Sequence, residues 1–149
     1  MRMAFHTDYA LRMLIYLVLQ PGGACTVNDV AEAYGLSRNH LVKVAQTLRD
    51  AGVVETTRGR MGGIRLIKAP DQINLGALAR ITEGDFALVQ CMRGRGDAGC
   101  VIAPACRLKG VLTQALDAYL AVLDAHTLAD LTANRTELAA LFRMETQAA

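Results

Sequence analysis

The stretch QCMRGRGDAGCVIAPACRL, residues 90–108, carries three cysteines: Cys91, Cys100 and Cys106. Eight residues separate the first two and five separate the last two. Three thiols match neither a disulfide set, which needs pairs, nor a closed zinc site, which takes four ligands. A zinc knuckle also brings a tight C-x2-4-C pair, and there is none here. Gaps of this length suit a body larger than one metal ion. Iron–sulfur clusters are such bodies, held by four ligands that are usually all thiolates, some of which other side chains can replace. A fourth donor must then come from elsewhere. Cys25 is one candidate, although its place between two expected helices suggests a small, partly buried hydrophobe. A metal-free alternative is a redox switch in which Cys91 and Cys106 form a disulfide.

The compartment bears on that choice. The apolar run YALRMLIYLVL, Tyr9 to Leu19, contains Arg12 and follows Asp8 directly. It is shorter than the roughly 20 residues that a membrane span needs, and no cleavage site follows it. It therefore reads as a core helix, and the protein is expected in the cytoplasm, where thiols stay reduced. Metal or redox chemistry is then the better expectation for clustered cysteines. No Gly-rich phosphate loop and no nucleophile–base pair occurs, so an enzyme is not expected.

The elements that must position the cysteines follow from apolar spacing. The 149 residues suit one domain or a domain with an extension, and the 52% hydrophobic content with no tryptophan favours a helical core of small aliphatic side chains. The first helix, Tyr9 to Leu19, is stopped by QPGG. Thr26 caps a second helix, VNDVAEAYG, with Asp29 forming an imperfect capping box and Gly35 ending it. Ser37 caps a third, with Leu41, Val44, Ala45 and Leu48 on one face. Two short helices joined by a tight glycine turn make a helix-turn-helix. Val53 to Thr57 and Ile64 to Ile67 then read as a hairpin around RGRMGG. A short helix capped by Asn74 precedes the cysteine loop. After it, Cys106 to about His126 reads as one long helix. Its stripe Leu108, Leu112, Ala115, Tyr119 and Val122 resembles a coiled-coil seam, so pairing with a second subunit is expected. TLADLTANRTELAALF reads as a terminal helical segment.

The fold class is thus mainly α with a small β-hairpin. A winged helix-turn-helix DNA-binding domain spans residues 1–84, a cysteine loop for a cluster 85–106, and a dimerisation helix with a C-terminal helix 107–149. Charge supports the DNA assignment. Between Leu36 and Lys68 there are seven Lys/Arg against two Asp/Glu, on a chain of net charge +2. A local basic segment on a near-neutral protein fits a phosphate-facing surface. The recognition helix would offer Ser37, Arg38, Asn39, His40 and Lys43 to the major groove, and the hairpin would add Arg58, Arg60 and Arg65. A dimer reading two half-sites implies a pseudo-palindromic double-stranded operator.

The stretches FHTDYALRMLIYL, YGLSRNHLVKV, TRGRMGGIRL, APACRLKGVL and TLADL resemble the family of iron–sulfur winged-helix repressors, which has IscR, NsrR and RirA types. The likeness covers residues 1–131. Through SRNHLVK, GGIRL, PACRLK and TLADL it is nearest the nitric-oxide-sensing NsrR type. The resemblance implies a homodimer with one cluster per subunit, of the 4Fe-4S type with 2Fe-2S as the alternative, bound by Cys91, Cys100 and Cys106. It also implies a fourth ligand, Asp8, from the partner subunit. From the residues alone Asp8 reads as a cap of the first helix. The IscR type uses a histidine three residues after its last cysteine; Lys109 stands there in this chain, which argues against that ligand set. The implied function is repression that is lost when nitric oxide nitrosylates the cluster. A regulator of the same fold that senses iron or cluster supply is the alternative.

Overall fold

The computed structural model describes residues 2–57, 63–93 and 99–142. Helix α1 spans Phe5–Leu19, four residues longer at its start than its apolar run suggests. Ala4 is extended and its carbonyl accepts from the Asp8 N–H at 3.1 Å, so Asp8 sits inside the first turn and does not cap it. Ala10, Met13, Leu14 and Leu17 are at most 1% exposed, one stripe at helical spacing that forms the centre of the core.

The helix-turn-helix follows the expected local chemistry. In α2, Val27–Tyr34, the capping box is complete: Asp29 N–H donates to Thr26 Oγ1 at 3.2 Å, and Thr26 N–H donates to Asp29 Oδ2 at 2.7 Å. Gly35 closes it at φ 63°, where a side chain would be strained. Helix α3, Arg38–Asp50, buries Leu41, Val44, Ala45 and Leu48. Ser37 stands at its N-cap, but through its carbonyl; its side chain makes no capping bond.

The wing has one strand more than the sequence suggests. Strands β2, Val54–Thr57, and β3, Gly63–Leu66, pair antiparallel, and a two-residue strand β1, Ala24–Cys25, joins on the other side of β3. Cys25 lies opposite Ile64 and is buried. A short 3-10 turn, Pro70–Gln72, leads to α4, Leu75–Thr82, where the Asn74 side chain accepts from the Ala77 N–H at 2.9 Å.

Helix α5, Leu108–Asp124, buries none of its residues within the chain. The terminal segment forms two short helices, α6 (Leu128–Leu131) and α7 (Arg135–Leu141). Both turn back to the N-terminal core. Leu128 is fully buried there, and the Phe142 ring stands edge-on to Tyr16 and Tyr34 at centroid distances of 5.5 and 5.1 Å. No helix among the described residues is long and apolar enough to cross a membrane.

The long helix divides its apolar residues between two faces. Leu112, Leu116 and Tyr119 line a groove of about 710 Å³ against residues 83–89 of the same chain. Leu108, Val111, Ala115, Ala118 and Val122, spaced three and four apart, are all exposed. The expected seam therefore mixes the two: Leu112 and Tyr119 face inward, and Val111 and Ala118 take their places on the outer stripe.

Candidate functional site

Helix α3 turns one face into the core and the other outward. Ser37, Arg38, Asn39, His40 and Lys43 are all exposed, opposite the buried Leu41–Leu48 stripe. Arg38 does not hang free. Its Nε donates to Asn28 Oδ1 at 2.7 Å, across the turn of the motif. Both line a cleft of about 270 Å³ together with Thr26, Thr56, Thr57 and Gly63. Asn28 and Thr57 thus join the basic surface, although neither is charged and neither has a spacing that marks it. Arg65 belongs to a different cleft. It lies 3.7 Å from Glu55 and lines a space of about 420 Å³ with Lys68, Gln20 and Arg135. Arg58 and Arg60 lie outside the described residues.

The cysteine segment is shaped by two 3-10 turns, Gln90–Met92 and Ala103–Ala105. Cys91 lies in the first. The Ala103 N–H donates to the Cys100 carbonyl at 3.1 Å, and Cys106 ends the second turn two residues before α5. All three thiols are free, and with Ala103 and Lys109 they line one cavity of about 40 Å³. Cys100 is exposed; Cys91 and Cys106 are half-buried. Among the described residues no group of three His, Cys, Asp or Glu side chains could hold a single metal ion. The three cysteines line one shared cavity. Next to it Val101 and Ile102 are 95% and 64% exposed, an apolar rim at the end of α5.

Asp8 and Cys25 do not line that cavity. Burial, with the Asp29 carboxylate nearby, pushes the Cys25 thiol up to about 12, and its strand holds it in the core. It packs as a small hydrophobe. Asp8 is on the first turn of α1, where its Oδ1 accepts from Arg12 Nε at 2.9 Å. The Arg12 guanidinium also lies 5.8 Å from the centre of the Tyr34 ring. On either side of Asp8, His6 Nε2 and Thr47 Oγ1 are 3.0 Å apart, and the Tyr9 ring lies 6.3 Å from that of His40. The first turn of α1 thus touches α3 at two points. His126, just beyond α5, has its Nδ1 3.7 Å from Asp130 Oδ2.

Comparison with known proteins agrees with this architecture. Residues 4–134 match the family described as "Rrf2: Iron-dependent Transcriptional regulator". The HTH-type transcriptional regulator NsrR of Halalkalibacterium halodurans is 48% identical over 97% of this chain and 99% of its own length. That of Bacillus subtilis is 47% identical over the same shares. Among solved structures, the B. subtilis global cysteine regulator CymR superposes with a TM-score of 0.70 at 27% identity, covering 90% of this chain and 98% of CymR. IscR of T. potens gives 0.70 at 25% identity, covering 99% of this chain and 94% of IscR. These relatives are regulators of transcription and not enzymes, and the chain belongs to the Rrf2 family of transcriptional regulators.

Proposed function

We propose that the chain is a cytoplasmic, homodimeric repressor that holds a pseudo-palindromic operator and releases it when nitric oxide reaches an iron–sulfur cluster bound by Cys91, Cys100 and Cys106. The observation that carries this reading is the convergence of those three thiols on one cavity. The similarity to NsrR regulators over nearly the whole chain supports the choice of signal. Three soft sulfur donors suit iron in a cluster, with a carboxylate able to complete the set. Asp8 of the partner subunit is the fourth donor. One of its oxygens is engaged by Arg12. The exposed Val101 and Ile102, together with the exposed stripe of α5, are apolar surface that a second subunit would cover. A bound cluster would supply an iron with an oxygen ligand, weaker than thiolate and hence open to nitric oxide.

The residues of this chain do the remainder. Ser37, Arg38, Asn39, His40 and Lys43 meet the major groove, and the wing meets the flanking backbone. A tie at Asp8 acts on the first turn of α1, which touches α3 through His6–Thr47 and Tyr9–His40. Loss of that tie leaves Asp8 to Arg12 alone and lets α3 shift against its half-site. A useful switch needs a coupling of about 1–3 kcal/mol between the two sites. The test is iron and sulfide content of anaerobically purified protein, with operator affinity followed through separate titrations of nitric oxide and an iron chelator. Wild type should be coloured and should release DNA on nitric oxide, and Asp8→Ala and Cys100→Ala should lose the colour. Release by chelation ahead of nitric oxide would instead identify a sensor of iron supply. Colourless, iron-free protein that still binds and releases DNA would identify a thiol switch.

A further inference from the structure

The two ends of α5 have different surroundings. Its first end follows Cys106, with exposed Leu108 and Val111; its last end is fastened to α4. Arg80 grips Asp124 with both arms of its guanidinium, Nη1 to Oδ1 at 2.5 Å and Nη2 to Oδ2 at 2.8 Å. Asn74 Nδ2 donates to the Asp124 carbonyl at 2.7 Å and to the His126 carbonyl at 3.3 Å. The Leu75 N–H donates to the His126 carbonyl at 3.0 Å, and the Leu128 N–H to the Ile73 carbonyl at 2.9 Å.

Gly76 shows how close this joint is. A Cβ there would overlap Asp124 Oδ1 and lie 2.7 Å from its Cγ and 2.9 Å from Arg80 Nη1. Glycine in a helix is unfavourable relative to alanine. Here its missing side chain makes the space in which the carboxylate sits. The ion pair is about half exposed, so it adds little to stability. A two-point guanidinium–carboxylate contact does fix direction, because both groups are planar and must lie in register. The Asn74 and Leu75 bonds hold the end of α5 in place, and the ion pair adds a directional constraint to a helix that has no fully buried residue of its own.

We propose that Arg80 and Asp124, seated on Gly76, set the angle at which α5 leaves the winged-helix body, and so determine which operator half-site spacing the dimer accepts. This rests on the reading of α5 as the dimer helix. Its 17 residues make a lever of about 25 Å. A rotation of about 10° at the joint moves the far end by about 4 Å, close to the 3.4 Å rise of one base pair. A loosened joint blurs spacing by one base pair without touching a DNA-contacting side chain.

The experiment uses the full anaerobically purified chain. A palindromic site is first selected by wild type from random duplex DNA. Affinity is then measured on duplexes whose half-sites are at the selected spacing or moved by one or two base pairs. Arg80→Lys keeps the charge and loses the two-point grip; Gly76→Ala displaces the carboxylate. Each should flatten the preference for the selected spacing over its neighbours by about tenfold. Affinity for a single half-site, dimer content by sedimentation and the helical circular dichroism should be unchanged. A spin label at Asn39→Cys should report a broader distance distribution between the two subunits. Retention of the wild-type spacing ratio and distance distribution by intact dimers of both variants overturns the proposal. A monomeric wild type, or one indifferent to spacing, overturns the dimer reading and the proposal with it.

Discussion

Replacing Leu108 and Val122 together by alanine separates the stability of the subunit from that of the proposed dimer. The two side chains are 54% and 61% exposed and stand on the outer stripe of α5. Full burial of a leucine or valine is worth about 1.5–3 kcal/mol, so covering the remaining half recovers about 1 kcal/mol for each. A symmetric dimer counts every position twice, which makes four side chains. Alanine keeps part of the contact, so the double substitution should cost the dimer about 3 kcal/mol, or roughly a hundredfold in its dissociation constant. Within an isolated subunit the same changes lie at the surface and should stay within about 0.5 kcal/mol each. Sedimentation velocity over a dilution series measures the first quantity, and thermal melting at concentrations below dimer dissociation measures the second. A dissociation constant within threefold of wild type would remove the outer stripe from the interface. Equal losses in both measurements would mean that α5 packs within its own subunit.

Thr7 is 1% exposed, and its hydroxyl has no hydrogen-bond partner among the described residues, so Thr7→Val should raise stability by about 1 kcal/mol, seen as a Tm about 3 °C higher. A thiol pushed up to about 12 by burial holds roughly a thousandth of the thiolate of an ordinary cysteine at pH 8, so iodoacetamide should label Cys100 in folded, cluster-free protein while Cys25 stays unmodified by mass spectrometry. The Thr127 N–H, with its hydroxyl and His126, holds the Asp130 carboxyl below the ordinary carboxylate range. A lowered folded value means stability that is present above that range and is lost as pH falls through it. Asp130→Asn should therefore lower Tm by a constant amount at neutral pH and show a shallower decline than wild type below about pH 4, as followed by melts across an acid series.

The legible parts of the fold were those whose signals are local. Capping by Thr26 and Asn74, the left-handed Gly35 and the Leu41–Leu48 stripe each depend on residues within a turn or two of one another. The start of α1 gave no such signal, because Ala4 supplies only backbone at its cap and Phe5 is 58% exposed. Strand β1 exists because β3, some forty residues on, offers it partners; two residues alone have no period to read. On α5 the expected seam included Leu112 and Tyr119 and left out Val111 and Ala118, since periodicity cannot say which apolar face its own chain covers. That division is made by residues 83–89, far off in sequence.

The same distinction explains the site. Three thiols in one loop could be found from composition and spacing, and they do share a cavity. Asp8 could not be joined to them on those grounds, and the chain itself does not join them: within one subunit its carboxylate is turned to Arg12. A donor that met its site only across a subunit boundary, as proposed for Asp8, would leave no trace in intrachain periodicity. Such an arrangement has a physical consequence. Ligation and dimerisation would then be linked equilibria: the cluster would strengthen the dimer by the same free energy by which dimerisation strengthens cluster binding. The Leu108/Val122 double variant should then lose its cluster more readily than wild type although it alters no ligand. Unchanged cluster retention in a fully monomeric variant would place the fourth donor within the chain that carries the cysteines.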